Sequence, residues 1–541
     1  GYSWLLASIL LMLLLAVFGT GPEGSGVKVN LFGFQVSELS KLLMIVFFAA
    51  YFAVNADYFR NITNNRWLTK NNMLMLALFV FLLAIYAILG DLGPAIVLTL
   101  TFLFLYSFAK EEFFSMIATG VVYLLVLFVV SKFINSAQQN FLPWMSLAAC
   151  IGSLGYTIFT KKNESIFFII LIISSFILLA QLPFEFTQRL ADRNGMFNNM
   201  WENKLVGGDQ VAHGVWALNS GGFLGQGPGN GFSNVMPAHH TDMMLQSIGE
   251  ELGFVTIIVI FIAFGILLYR VILSARRTGK PFMFYLMAGI GIATLIPLML
   301  ITGGTLGLMP LTGISVPFLS KGNAGIILSL IAFAFIIIMS NEKGDSLEME
   351  YVKKNFDNVN AYSLLFFFGV LIVFSGSLIY YQIKSNRYIV KPALVLNRSG
   401  EWQYSYNSRI GIMLREIKPG TIYDRNGIVL ATSESTNKKT DSLHNKRTYP
   451  FSADLIFWLG DINREIAKEE SNGYAAEFRH YTMLRGFDVT STASQKTSDR
   501  FKENRFLPET EKESELVLYD YSALAPYIKA GKNSMLTDAQ N

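Results

Sequence analysis

Residues 91–110 read DLGPAIVLTLTFLFLYSFAK, an acid followed by an uncharged apolar run that reaches Lys110. A run of this length crosses about 30 Å of hydrocarbon as a helix, and its reading decides the fold. Outward from it, similar runs occur at about 2–20, 38–54, 71–89, 114–134, 140–160, 165–183, 244–270, 282–302, 321–340 and 362–381. About eleven crossings are expected. The 541 residues are 52% hydrophobic and only 15% charged, against roughly 25% charge in a soluble domain, so a purely water-soluble enzyme is excluded. The expected class is an all-α polytopic membrane protein with a small α+β, β-rich domain in the polar stretch 382–541.

The net charge of +4 is scattered without a dense Lys/Arg block, which speaks against nucleic acid as a partner. Cys150 is the single cysteine and leaves neither a disulfide framework nor a cysteine metal site to consider. No basic leader precedes the first apolar run, so a signal peptide is not expected. Basic residues mark four short loops: Arg60, Arg66 and Lys70; Lys161 and Lys162; Arg276, Arg277 and Lys280; Lys343, Lys353 and Lys354. Alternating spans put all four on one face, the cytoplasmic one. The loop 184–243 and the tail after 382 then fall on the outer side.

Ionisable residues beside spans are costly and are default functional candidates. Glu38 and Lys41 open the second span three residues apart, close enough to share a helical face. Asp91 heads the fourth, Glu185 and Arg189 follow the seventh, and Asp242 precedes the eighth. Glu250 and Glu251 lie two turns deeper, where they should face a polar cavity or a partner. The plain alternative for each is a solvated helix end, with Asp91 and Asp242 merely favourable at helix N-termini. The segment 184–243 exceeds the length of an ordinary connector. Its Trp201, Trp216, Leu218 and Phe223 point to a packed cap rather than a tether. His239 and His240 are adjacent and side chains so placed usually diverge, so a protein-built zinc site is not expected; a hard ion shared by Asp242 and a ligand's phosphates fits better.

The motifs QVSELSK (35–41), GDLGPAIVL (90–98), GGDQ (207–210), SGGFLGQGPG (220–229), MPAHHTDMMLQSIGEELGF (236–254) and GLMPLTGISVPFLSKGNAG (307–325) stand in one order and on one side. Together they resemble the SEDS family, the FtsW/RodA/SpoVE-type membrane proteins of bacterial wall synthesis, over about residues 1–340. Val36 and Gly90 replace the family's usual prolines, and Lys321 stands where an aromatic residue is usual. Three spans, not one, separate the Asp-Leu-Gly helix from the large outer loop. The first span is similar to the family's third, so two family helices are expected to be absent from this chain.

A second resemblance begins at RIGIMLREIKPGTIYDRNGIVLATS (409–433), which is similar to the membrane-proximal pedestal of class B penicillin-binding proteins, with an Asn426-Gly427 hairpin turn. The expected layout is a SEDS-like domain at 1–340 holding about ten spans, a cytoplasmic linker at 341–361, an anchor at 362–381 and the pedestal-like domain at 382–541. Ser435 and Lys438 fit Ser-x-x-Lys, but no SDN-like or KTG element follows. A chance match is expected, and the tail is expected to bind and regulate.

The SEDS resemblance implies polymerisation of lipid II, the lipid-linked disaccharide pentapeptide, during bacterial elongation or division. It places Asp242 as the general base. Lys41, Arg189, Glu38, Asp91, Gln210 and His240 would bind substrate, and Glu250, Glu251, Pro317 and Ser320 would shape the cavity. An Mg or Mn ion near Asp242 is the cofactor it leaves open. The implied partners are lipid II, membrane lipid, a class B penicillin-binding protein or its remaining domain, and other division or elongation proteins, all at the bacterial inner membrane. Two other classes compete: a lipid II flippase, which commonly has inverted repeats and broken helices at the membrane midplane, and a non-catalytic scaffold.

Overall fold

The computed structural model describes residues 1–21, 28–60, 70–111, 200–202, 208–236, 238–308, 311–342, 346–396, 402–433, 447–462, 475–497 and 512–530. The expected spans at 114–134, 140–160 and 165–183, together with Arg189, Ser435 and Lys438, lie outside the described residues. The chain forms two compact units: residues 1–198, 238–245 and 258–377, and residues 199–237, 246–257 and 378–541.

The first unit is helical. It contains α1 (Ser3–Phe18), α2 (Val36–Arg60), α3 (Lys70–Ile88) and α4 (Leu92–Lys110), with a small hairpin of β1 (Asn30–Leu31) and β2 (Phe34–Gln35) before α2. Among the described residues, five helices are long and apolar enough to span a membrane and three shorter ones are apolar. They coincide with the remaining eight expected runs, so this is a multi-pass membrane protein. Aromatic rings close the core between α2, α3 and α4: Phe48 meets Phe79 edge-on at 5.2 Å and Phe102 at 5.2 Å, and Phe102 stacks on Tyr106. Such pairs add to plain area burial. Other helices of the unit carry large exposed apolar side chains such as Leu10, Val17, Leu330 and Ile338, which suits lipid and would be a liability in water.

The long helix running from Met244 to Arg277, here α6, needs separate treatment. Its 34 residues would rise about 51 Å, well beyond the hydrocarbon thickness. It breaks at Gly253, whose φ of 77° and ψ of −176° are non-helical. The break exposes backbone groups that an apolar environment would not forgive, and the glycine-rich loop meets them. Gln226 and Gly227 N–H donate to the Glu250 and Glu251 carbonyls at 2.9 Å each, while Phe254 and Val255 N–H donate to Gly222 O at 3.1 Å and Phe223 O at 3.3 Å. The part after the break still rises about 36 Å, enough to span. The helical stretch that follows Gly253 is thus long enough to cross by itself, and Glu250 and Glu251 lie on the other side of the break.

The first unit continues with α7 (Pro281–Thr305), α8 (Asn323–Ser340) and α9 (Ser346–Leu378). Nearly every residue of α7 from Phe284 to Thr305 is buried, and Pro297 within it removes one backbone donor. From Ser346 the expected linker 341–361 is helical and continuous with the anchor. A π-helical turn, Ile379–Lys384, ends that helix.

The second unit joins the glycine-rich loop region to the tail. Helix α5 (Gly208–Gly221) packs Ala212 and Trp216 against Ala393 and Val395 of β3 (Ala393–Leu396), with Trp201 beside them. The Trp216 indole donates to Lys391 O at 3.0 Å. Trp201, Trp216 and Leu218 thus pack as read from the sequence. Phe223 packs less closely: it is 55% exposed, its ring stacked on that of Phe254 and its carbonyl accepting from Val255 N–H at the break in α6. Strand β4 (Trp402–Ser405) pairs with β3, and α10 (Ser408–Glu416) follows. The hairpin of β5 (Ile422–Tyr423) and β6 (Val429–Ala431) turns at Asn426-Gly427, where Gly427 has φ 79° and the Asp424 carboxylate accepts from Asn426 and Ile428 N–H. Helix α11 (Ser452–Leu459), a long ribbon of β7 (Val489–Thr497) with β8 (Lys512–Tyr519), and α12 (Ala525–Ala530) complete the tail. Its core gathers Ile410, Met413, Leu414, Phe487, Leu524 and Ile528.

Candidate active site

Asp242 stands at the end of a tight turn ahead of α6. Ala238 adopts φ 54°, and its carbonyl accepts from Thr241 N–H at 3.0 Å and Met243 N–H at 3.1 Å. A left-handed alanine is uncommon and persists only where neighbours fix it. Here the neighbour is the segment before α8. Val316 N–H donates to Ser320 Oγ at 2.9 Å, Ser320 Oγ donates to Thr241 O at 2.7 Å, and Lys321 N–H donates to His240 O at 2.8 Å. Ser320 is buried, so these bonds act where water cannot substitute for them. The half-buried Pro317 lies in the same turn, beside Phe318 with φ 65°.

Gly313 brings this turn to the Asp-Leu-Gly helix. It has φ 65°, and a Cβ on it would lie 3.5 Å from Asp242 Oδ2. Its neighbour Ile314 fills the space over Gly93, in the first turn of α4, where a side chain larger than hydrogen would collide. The motif following Asp91, the motif containing Pro317 and Ser320, and the motif containing Asp242 therefore meet at one place. Asp242 itself is half-buried, and His240 is exposed with its ring edge-on to His239 at 4.9 Å.

A second group forms at the start of α2. Lys41 Nζ lies 2.7 Å from Glu38 Oε1, with side-chain exposures of 10% and 12%. The two residues share a face as the i,i+3 spacing requires. Tyr86, fully buried on α3, donates to Ser37 O at 3.3 Å, and its hydroxyl meets that of Ser40, which bonds to Ser8 Oγ at 2.5 Å. Glu38 and Asp91 both act electrostatically on Tyr86. Two residues singled out from the sequence, Glu38 and Asp91, thus lie within electrostatic reach of a tyrosine that sequence reading missed. The hydroxyl pair Ser37 and Ser40, framing Glu38 in QVSELSK, was the available signal.

Other expected site residues fall in the second unit. Gln210 sits in the first turn of α5, and its Nε2 is buried without a hydrogen-bond partner among the described residues. His213, one turn on, is held below its ordinary pKa by burial, against the opposing charge of Asp209. Glu250 has the partner that its position called for: its Oε1 accepts from Arg409 Nη2 at 2.8 Å and Nε at 3.1 Å, and its Oε2 from Phe232 N–H at 3.1 Å. Arg409 also reaches Asn230 O at 3.0 Å and Gln226 Oε1 at 3.3 Å, with its guanidinium 4.9 Å from the Phe232 ring centre. Glu251 accepts from Gly229 N–H at 3.0 Å. These two glutamates organise the glycine-rich loop. Among the described residues, no three His, Cys, Asp or Glu side chains group to hold a metal ion.

A family model for cell cycle proteins, FtsW/RodA/SpoVE, matches residues 2–163 and 145–344. The probable peptidoglycan glycosyltransferase FtsW of Wigglesworthia glossinidia brevipalpis is 24% identical over 357 residues, covering 65% of this chain and 78% of its own. The peptidoglycan glycosyltransferase RodA of Mycobacterium leprae is 26% identical over 339 residues, covering 61% of this chain and 62% of its own. A solved chain described under structural coordination of polymerization and crosslinking by a peptidoglycan synthase complex aligns with a TM-score of 0.43 at 18% identity, over 63% of this chain and 80% of that one.

Proposed function

The chain belongs to the FtsW/RodA/SpoVE family of cell cycle proteins, and from that premise we propose that it is a peptidoglycan glycosyltransferase that joins lipid II units into glycan strands during bacterial elongation or division. The observation that carries the site is the position of Asp242, half-buried beside Gly313 on a turn clamped by Ser320. A sugar hydroxyl is a weak nucleophile at neutral pH and gains from a carboxylate within about 3 Å. Asp242 takes the hydroxyl proton as that oxygen bonds to the donor's anomeric carbon, and the bond from that carbon to the lipid pyrophosphate breaks. Ser320 acts on the turn and not on substrate, as a positioning residue.

Negative charge grows on the departing pyrophosphate and needs a cation. Lys41 and Arg189 are assigned this role, with Glu38 and Asp91 orienting; because Lys41 is already paired with Glu38, the pair delivers less than a full positive charge. Gln210 and His240 are kept as substrate contacts, with Pro317 shaping the cavity wall. An Mg or Mn ion fits this donor set only if Asp242 and the substrate's own phosphates hold it jointly, and it would then supply charge neutralisation. The tail is assigned to the extracytoplasmic face of the inner membrane as a pedestal that engages a class B penicillin-binding protein.

Asp242→Asn should preserve the melting temperature of the purified chain yet give no glycan polymer from lipid II in detergent, where no sides exist. Undiminished polymer in that variant rejects the base assignment. Movement of lipid II across vesicles by a wild-type chain that makes no polymer in detergent would favour the flippase. The break in α6 offers that reading little support, since it lies nearer the start of the helix than its middle.

A further inference from the structure

Arg387 and Lys391 follow the end of the spanning helix and have no part in the reaction above. The chain beyond the π turn Ile379–Lys384 lays Tyr388 on Trp201, the rings 5.9 Å apart and within 7° of parallel. Lys391 Nζ lies 4.8 Å from the Trp201 ring centre and Arg387 Cζ 5.6 Å from that of Tyr388. Tyr381, in the turn itself, packs on Tyr388 at 5.2 Å. The backbone at Lys391 is pinned by the Trp216 indole. Two cations are therefore mounted on one aromatic stack.

Among the described residues their charges are not matched by an acid in direct contact. Neither makes an ion pair among the described residues, and the one acid acting on Lys391, the exposed Glu202, counts for less than the repulsion from Arg387. Burial and that repulsion hold the Lys391 ammonium below its ordinary pKa. Ring contacts offset only part of such a cost. A compact anion between the two would remove it, and a phosphate ester suits both an arginine fork and a lysine point charge. Aromatic residues at a span's end sit at headgroup depth. Ile379, Tyr380 and Ile383 leave an exposed apolar strip on the last turn, along which acyl chains can lie.

We propose that Trp201, Tyr388, Arg387 and Lys391 form a binding site for the phosphate headgroup of an anionic membrane phospholipid. The test is native mass spectrometry of the full chain titrated with phosphatidylglycerol or phosphatidylcholine. Wild type should retain one phosphatidylglycerol that Arg387→Gln/Lys391→Gln loses, with affinity weakened roughly 30-fold, and phosphatidylcholine should not replace it. Arg387→Lys should bind within a few-fold of wild type. Should the double variant misfold, Arg387→Gln alone, at an exposed position, still loses roughly fivefold. Equal retention by wild type and variants, or equal binding of the two lipids, would overturn the proposal. Displacement by matched concentrations of inorganic phosphate would overturn the lipid assignment in favour of a free-phosphate site.

Discussion

Replacing Arg409 with methionine is the most informative single perturbation of the second unit. Arg409 and Glu250 have side-chain exposures of only 8% and 3%, so the substitution strands a carboxylate that water cannot reach. Two charge-assisted bonds to Glu250 Oε1 go, as do those to Asn230 O and Gln226 Oε1. The Phe232 N–H bond to Oε2 is left. Breaking a buried pair from one side costs about 3–5 kcal/mol. In a unit of roughly 200 residues, each kcal/mol shifts melting by about 2–4 °C, so a fall on the order of 10 °C is expected. Scanning fluorimetry of the detergent-purified chain reads this, with proteolysis at residues 226–231 locating the loss. Arg409→Met/Glu250→Leu should recover most of it, since an apolar replacement of both partners is often neutral. If the single variant melts with wild type, or the double variant is no better than the single, the pair does not hold this loop.

Three further outcomes follow from the geometry. Ser320→Ala leaves Val316 N–H and Thr241 O without their shared hydroxyl and slackens the turn carrying Asp242; the polymerisation rate should fall by about 10–100-fold with little change in lipid II binding, measured by single-turnover assay. Gly253→Ala places a Cβ against the Gly225 and Leu224 backbone at a φ that alanine resists, so the loop 222–227 should become protease-sensitive at a cost of at least about 2 kcal/mol. His213 titrates lower folded than unfolded because burial disfavours its charged form. Below about pH 6.5 the unfolded chain therefore binds more protons, and stability should drop as pH falls, with a slope of at most about 1.4 kcal/mol per pH unit; melting curves between pH 7.5 and 5 check this, and His213→Phe should flatten them.

Hydropathy alone located the described spans, because a run such as 92–110 has no other way to satisfy its backbone in lipid. The i,i+3 spacing of Glu38 and Lys41 likewise foretold a contact, since it depends on one helix only. Contacts between distant segments were not legible in this way. Glu250 could be read as needing a partner, but Arg409 lies 159 positions away, and no local pattern links them. Ser320 reaches Thr241 across 79 positions, so its part in fixing the turn depends on how α6 and α8 register. The break at Gly253 was hidden for a different reason. A glycine inside an apolar run is tolerated in a helix, and only the loop donating to the Glu250 and Glu251 carbonyls shows that this one is not helical.

The broken start of α6 also sets an order of events during synthesis. Residues 221–227 leave the ribosome before 250–255, so the amides and carbonyls of the glycine-rich segment are matched by water until the start of α6 has been made. Until then the segment has none of the four backbone bonds that tie it to α6. The loop and the start of α6 therefore acquire their final backbone pairing together, never one before the other.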